Sequence, residues 1–107
     1  MVEEKKTRWC KICGVTSPKD GRILSEIGVN AIGLMFYQDS DRYVSYERAK
    51  RVSDEIKSVN PSVRTVGVFV NPTSDMVGDA IAEVGVDMLQ FHGSESCLLY
   101  TSDAADE

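Results

Sequence analysis

Apolar residues along this chain fall into short, mostly apolar runs separated by amphipathic stretches. The runs are residues 8–13 (RWCKIC), 31–36 (AIGLMF), 63–70 (VRTVGVFV) and 87–91 (DMLQF). All four predict strands, and the unbroken run at 31–36 predicts a strand covered on both faces. Between them the apolar period changes to that of a helix. Ser17 is a capping residue with Pro18 at the first helical position; Ile23, Leu24 and Ile27 form one face, and Gly28 ends the segment. Ser45 opens a second helix with Ala49, Val52 and Ile56 on one face, broken at Asn60-Pro61. Met76, Val77, Ala80, Ile81 and Val84 predict a third, closed by Gly85.

The order is therefore strand, helix, strand, helix, strand, helix, strand. Such alternation predicts an α/β fold with a parallel sheet and right-handed crossovers. The stretches EIGVNAIGLMF, from Glu26, and EVGVDMLQFHG, from Glu83, repeat the same plan of helix end, glycine turn and buried strand. The chain has 107 residues, 42% of them apolar and 27% charged, which is the composition of one small globular unit. The net charge is −5, with bases interspersed among the acids. No basic stripe points to nucleic acid, and no apolar run reaches the length that points to a membrane, so a cytoplasmic protein is expected.

Residues 1–7 read as a flexible lead-in. Residues 97–107 (CLLYTSDAADE) carry neither helical periodicity nor strand alternation. They resemble the translated read-through of a transposase adapter used to prepare sequencing libraries. The segment is expected to be a non-native, disordered tail, leaving residues 8–96 as the folded unit.

Cys10 and Cys13 form a Cys-x-x-Cys spacing, which raises a redox dithiol or half of a zinc site. Strand geometry argues against both. Side chains an odd number of positions apart leave opposite faces of a strand, so the two thiols diverge. Reactive pairs of this spacing sit at a helix N-terminus, whereas the helix here begins only after Ser17. A zinc site needs further ligands, and the chain has one histidine and no second such pair. Cys10 is expected to be a small core residue. Cys13 ends its strand ahead of Gly14, at the end of a parallel sheet where chemistry gathers, and position alone leaves it either a site residue or a second buried thiol. Lys11 shares its face; it would set an ammonium beside the thiol or form an ion pair with an acidic group inside the fold.

The ordered motifs KICGVTSPKDG, AIGLMFYQDSDRYVS, VGVFVN and LQFHG resemble those of the phosphoribosylanthranilate isomerases of tryptophan biosynthesis, from about Arg8 to Glu95. The resemblance implies the N-terminal half of a (β/α)8 barrel, with four parallel strands and three helices. It implies an intramolecular aldose–ketose isomerase that converts N-(5-phosphoribosyl)anthranilate to the 1-amino-1-deoxyribulose 5-phosphate by an Amadori rearrangement. That reaction is the third step from chorismate to tryptophan, and it needs no cofactor or metal. The cysteine of Lys-Ile-Cys-Gly is the family's general base and falls on Cys13. The arginine that meets the anthranilate carboxylate falls on Arg42, which otherwise reads as a solvated loop residue. His92 falls beside the substrate. Gln90 is expected to contribute packing alone. The family's general acid, an Asp on the fifth strand, and its phosphate loops, after the seventh and eighth, have no counterpart here, so this chain alone is expected to be inactive. A competing expectation is a non-catalytic half-barrel that self-associates through open strand edges. Another phosphosugar barrel, such as the neighbouring synthase of the pathway, is disfavoured by Cys13.

Overall fold

A computed structural model describes residues 9–92 and the backbone of residues 97–100. The lead-in at residues 1–7 and the tail at residues 101–107 lie outside the described residues. Four parallel strands run in chain order: β1 (Lys11–Cys13), β2 (Ala31–Met35), β3 (Arg64–Val70) and β4 (Met88–His92). Three helices connect them: α1 (Pro18–Ile27), α2 (Tyr46–Val59) and α3 (Ser74–Asp79), the last continuing as a π turn over Ala80–Val84.

The start of each helix follows from its cap. The hydroxyls of Ser17, Ser45 and Thr73 accept from the backbone N–H three residues on, each at 3.2 Å. The parallel register places Cys13 beside Gly33, Met35 beside Val68, and Val70 beside His92. Alternation then sorts the strands into two faces. Ile32, Leu34, Phe36, Phe69 and Leu89 join Ala49, Val52 and Ile56 in the larger core, between sheet and helices. Ala31, Val66, Val68 and Met88 form a smaller cluster on the inner face of the curved sheet, with Met35 against it. Lys11, Cys13, Gln90 and His92 have the parity of that inner face.

Several expectations change. The buried side of α1 is Gly21 and Ser25, not the isoleucines; Ile23 and Ile27 are exposed. A Cβ at Gly21 would lie 3.1–3.2 Å from Ile56 and Val52, so the absence of a side chain lets α1 and α2 approach closely. Cys10 is exposed rather than a core residue. It precedes a β1 of only three residues, and among the described residues β1 pairs with β2 alone. Residues 97–107 were expected to be disordered throughout; instead Cys97–Tyr100 forms β5, antiparallel to β4. An apolar CLLY segment next to an open strand edge satisfies that edge's backbone groups, which is the physical reason for the pairing.

Candidate active site

The rim at the C-terminal ends of the strands carries Cys13, Arg42 and His92 on three separate segments; Cys13 and Arg42 line one cleft, and His92 is not among its lining residues. Cys13 ends β1, and its thiol lies over Gly33 of β2, where a Cβ would come within 2.8 Å of Sγ. Glycine in the middle of AIGLM is thus explained by room for the thiol rather than by strand propensity. Gly14 follows at φ +87°, and its N–H donates to the Gly33 carbonyl at 3.0 Å. That turn lifts the chain out of β1 and exposes Cys13.

Arg42 lies over the same turn. A Cβ at Gly14 would collide with Arg42 Cδ and stand 3.2 Å from Nε, so position 14 needs glycine for both its backbone angle and its arginine neighbour. The loop carrying Arg42 is held at both ends. Ser40 N–H donates to the Tyr37 carbonyl, and Val44 N–H to the Met35 carbonyl, both at 3.0 Å. The Ser40 hydroxyl accepts from Arg42 N–H at 3.0 Å. Cys13, Gly14 and Arg42 together line a cleft of about 310 Å³, continued by Ile12, Val15 and Asp20. Sequence reasoning placed Cys13 and Arg42 at one site through the resemblance alone; the structure brings them together around Gly14.

His92 is exposed at the end of β4, across the inner face from β1. Its backbone carbonyl accepts from Asn71 N–H at 3.3 Å, and Asn71 turns the chain out of β3 at φ +46°. Asparagine is among the residues that tolerate such an angle. Among the described residues, the side-chain partner of Lys11 is an amide and not an acid. Its ammonium donates to Gln90 Oε1, and Gln90 Nε2 stands 3.0 Å from His92 Nε2. Gln90, expected to be packing only, is therefore the link between β1 and His92. The signal was present in the sequence: positions 90 and 92 share one face of β4, as 11 and 13 share one face of β1. Among the described residues, no three metal-ligating side chains gather at one point.

The chain is similar in sequence and fold to known proteins. The family model described as N-(5′-phosphoribosyl)anthranilate isomerase matches residues 10–105. The N-(5′-phosphoribosyl)anthranilate isomerase of Nitrosomonas europaea is 44% identical over 86 residues, covering 80% of this chain and 39% of the relative. The crystal structure of the Thermotoga maritima phosphoribosylanthranilate isomerase superposes with a TM-score of 0.70 at 38% identity, covering 81% of this chain and 41% of that one. A phosphoribosylanthranilate isomerase in complex with reduced 1-(o-carboxyphenylamino)-1-deoxyribulose 5-phosphate gives a TM-score of 0.70 at 39% identity, covering 81% and 43%. The chain thus spans about two fifths of the length of these relatives.

Proposed function

Because this chain belongs to the N-(5′-phosphoribosyl)anthranilate isomerase family, we propose that it is the base-carrying half of such an isomerase, with Cys13 as general base and Arg42 and His92 as substrate-binding residues. The observation that carries the reading is the meeting of Cys13 and Arg42 over Gly14. In the Amadori rearrangement a general acid protonates the ring oxygen, and the furanose opens to a Schiff base. A general base then takes the C2′ proton, and the enolamine tautomerises to the ketone. Cys13 takes that proton as its thiolate, the form in which a thiol is an effective base. Arg42 supplies a planar guanidinium, whose fork matches a carboxylate. The ligand of the related complex, reduced 1-(o-carboxyphenylamino)-1-deoxyribulose 5-phosphate, carries such a carboxylate on its phenyl ring. The acid and the phosphate anchor come from the part of the barrel that the relatives have beyond the matched segment.

Outside a complete barrel, we expect the chain to self-associate. Ile12, Ile23 and Trp9 expose apolar surface, and among the described residues β1 has one strand partner. We place the parent protein in the cytoplasm. No helix among the described residues is long and apolar enough to cross a membrane.

The test of the substrate reading uses a completed barrel, in which residues 10–92 of this chain replace the matching segment of the Nitrosomonas europaea relative. Turnover is followed by loss of phosphoribosylanthranilate fluorescence. Arg42→Ala is expected to weaken substrate binding by about 1.5–3 kcal/mol, the range for a charge-assisted hydrogen bond. Arg42→Lys recovers only part, because a point charge lacks the fork. An analogue without the carboxylate should be indifferent to both changes; an equal loss on that analogue would remove Arg42 from carboxylate recognition.

A further inference from the structure

We infer that Gln90 is a positioning residue that sets the tautomer of His92, so that the ring keeps its proton on Nδ1 and offers that N–H to an acceptor oxygen of a bound ligand. The use of the donor rests on the isomerase reading; the tautomer does not.

Three side chains stand in line across the inner face. Lys11 comes from β1, while Gln90 and His92 are two apart on β4 and share its inner side. Lys11 donates to Gln90 Oε1, and Gln90 Nε2 lies 3.0 Å from His92 Nε2. An ammonium has donors and no acceptor, so only the amide oxygen can face it. The amide is thereby oriented by its partner, and the usual ambiguity between its oxygen and nitrogen is removed. The amide nitrogen, a donor, is left facing His92 Nε2, which must accept. A neutral imidazole carries one N–H, so in this arrangement the proton is on Nδ1. Lys11 and Gln90 are half-buried, so the contact that orients the amide is partly shielded from water, while the contact to His92 is exposed at the rim. A glutamate at position 90 would invert the outcome. Its carboxylate would accept from Lys11 and from an Nε2–H together.

The chain contains one histidine, so ring nitrogen signals from the uniformly 15N-labelled, untagged 107-residue chain need no assignment. Solid-state 15N spectra at about pH 9, above the ordinary imidazole range, read the tautomer whatever the assembly state and require no substrate or activity. The Nδ1–H form is expected to exceed the Nε2–H form by about fivefold, the effect of one net hydrogen bond. Gln90→Glu should move the proton to Nε2. Lys11→Met should bring the two forms towards equal populations, because the amide is then free to turn. A dominant Nε2–H form in the unaltered chain would overturn the inference, as would a tautomer unmoved by Gln90→Glu. Loss of turnover in the completed barrel would bear only on the isomerase reading.

Discussion

The two ends of the parallel sheet treat their polar side chains in opposite ways. At the N-terminal end, Asp87 leads into β4, and its Oδ2 accepts from Thr65 N–H of β3 at 2.9 Å and from the Lys57 ammonium of α2 at 2.6 Å. Lys57 also donates to the Val63 carbonyl at 2.7 Å, and Asp87 N–H to the Thr65 carbonyl at 2.9 Å. These part-buried groups use one another, tying α2, β3 and β4 into one block. At the C-terminal end, Cys13, Arg42 and His92 are exposed, and the backbone around them is organised to present them: a positive-φ glycine under Arg42, a positive-φ asparagine bonded to His92. One end spends its polar chemistry on the fold, while the other leaves these side chains exposed. Barrel enzymes divide their two faces in the same sense.

The comparison is broken if variants at the rim behave like variants at the base, and the largest contrast lies in the cysteines. In the completed barrel, Cys13→Ala should cost about 10²–10⁴-fold in kcat, the usual contribution of a general base. Unfolding free energy should change little, because Cys13 is exposed. Cys10→Ala, three residues away and outside β1, should retain most of the rate. Equal losses for the two would sink the assignment of Cys13.

Asp87→Ala should show the reverse profile. Removing the acceptor of the Lys57 and Thr65 hydrogen bonds should lower the free energy of unfolding in urea by about 2–3 kcal/mol, with kcat/KM nearly unchanged at temperatures where the barrel stays folded. A rate loss larger than the loss of folded fraction would place Asp87 in the catalytic machinery instead.

The smallest effect is expected on the helical side at high pH. The Tyr46 hydroxyl donates to the Met76 carbonyl at 2.8 Å, and its ring stacks edge-on against Phe36 at 5.0 Å. Burial raises its pKa above the ordinary 10.0, with Asp79, Tyr43 and Glu83 adding to the shift. Because the folded-state value is the higher one, the unfolded chain ionises first. The stabilisation is complete below the ordinary tyrosine range and is lost as the pH rises from there through the folded value. Tyr46→Phe should cost about 1 kcal/mol at neutral pH. It should also flatten the decline in stability above about pH 10; an unchanged decline would assign the alkaline loss to other groups.

The four parallel strands, the starts of α1 and α2 and the place of Cys13 at a strand end were legible in the chain because each rests on local signals: an apolar run, a capping serine, a glycine turn after a strand. What escaped depends on partners distant in sequence. Gln90 reads as packing until Lys11 is seen to reach it across the inner face, 79 residues away in sequence. The isoleucines of α1 have helical spacing, yet the helix turns its glycine side to α2, since Gly21 allows the closer approach. Cys10 carried the hydropathy of a core residue but stands ahead of a strand that, among the described residues, has one partner. β5 has no periodic signal of its own; its pairing follows from the edge that β4 presents.

We propose that this chain supplies the base and the carboxylate site, while acid and phosphate anchor come from the rest of the barrel. Acid and base act together in the rearrangement, and binding energy at the phosphate is needed to orient the sugar. The most direct test compares loss of phosphoribosylanthranilate fluorescence by the 107-residue chain alone and by the completed barrel containing its residues 10–92, with light scattering recorded on both. The account predicts a silent, self-associated chain and a completed barrel that turns over. Turnover by a monomer of the chain alone, or a folded completed barrel with no activity, would contradict it.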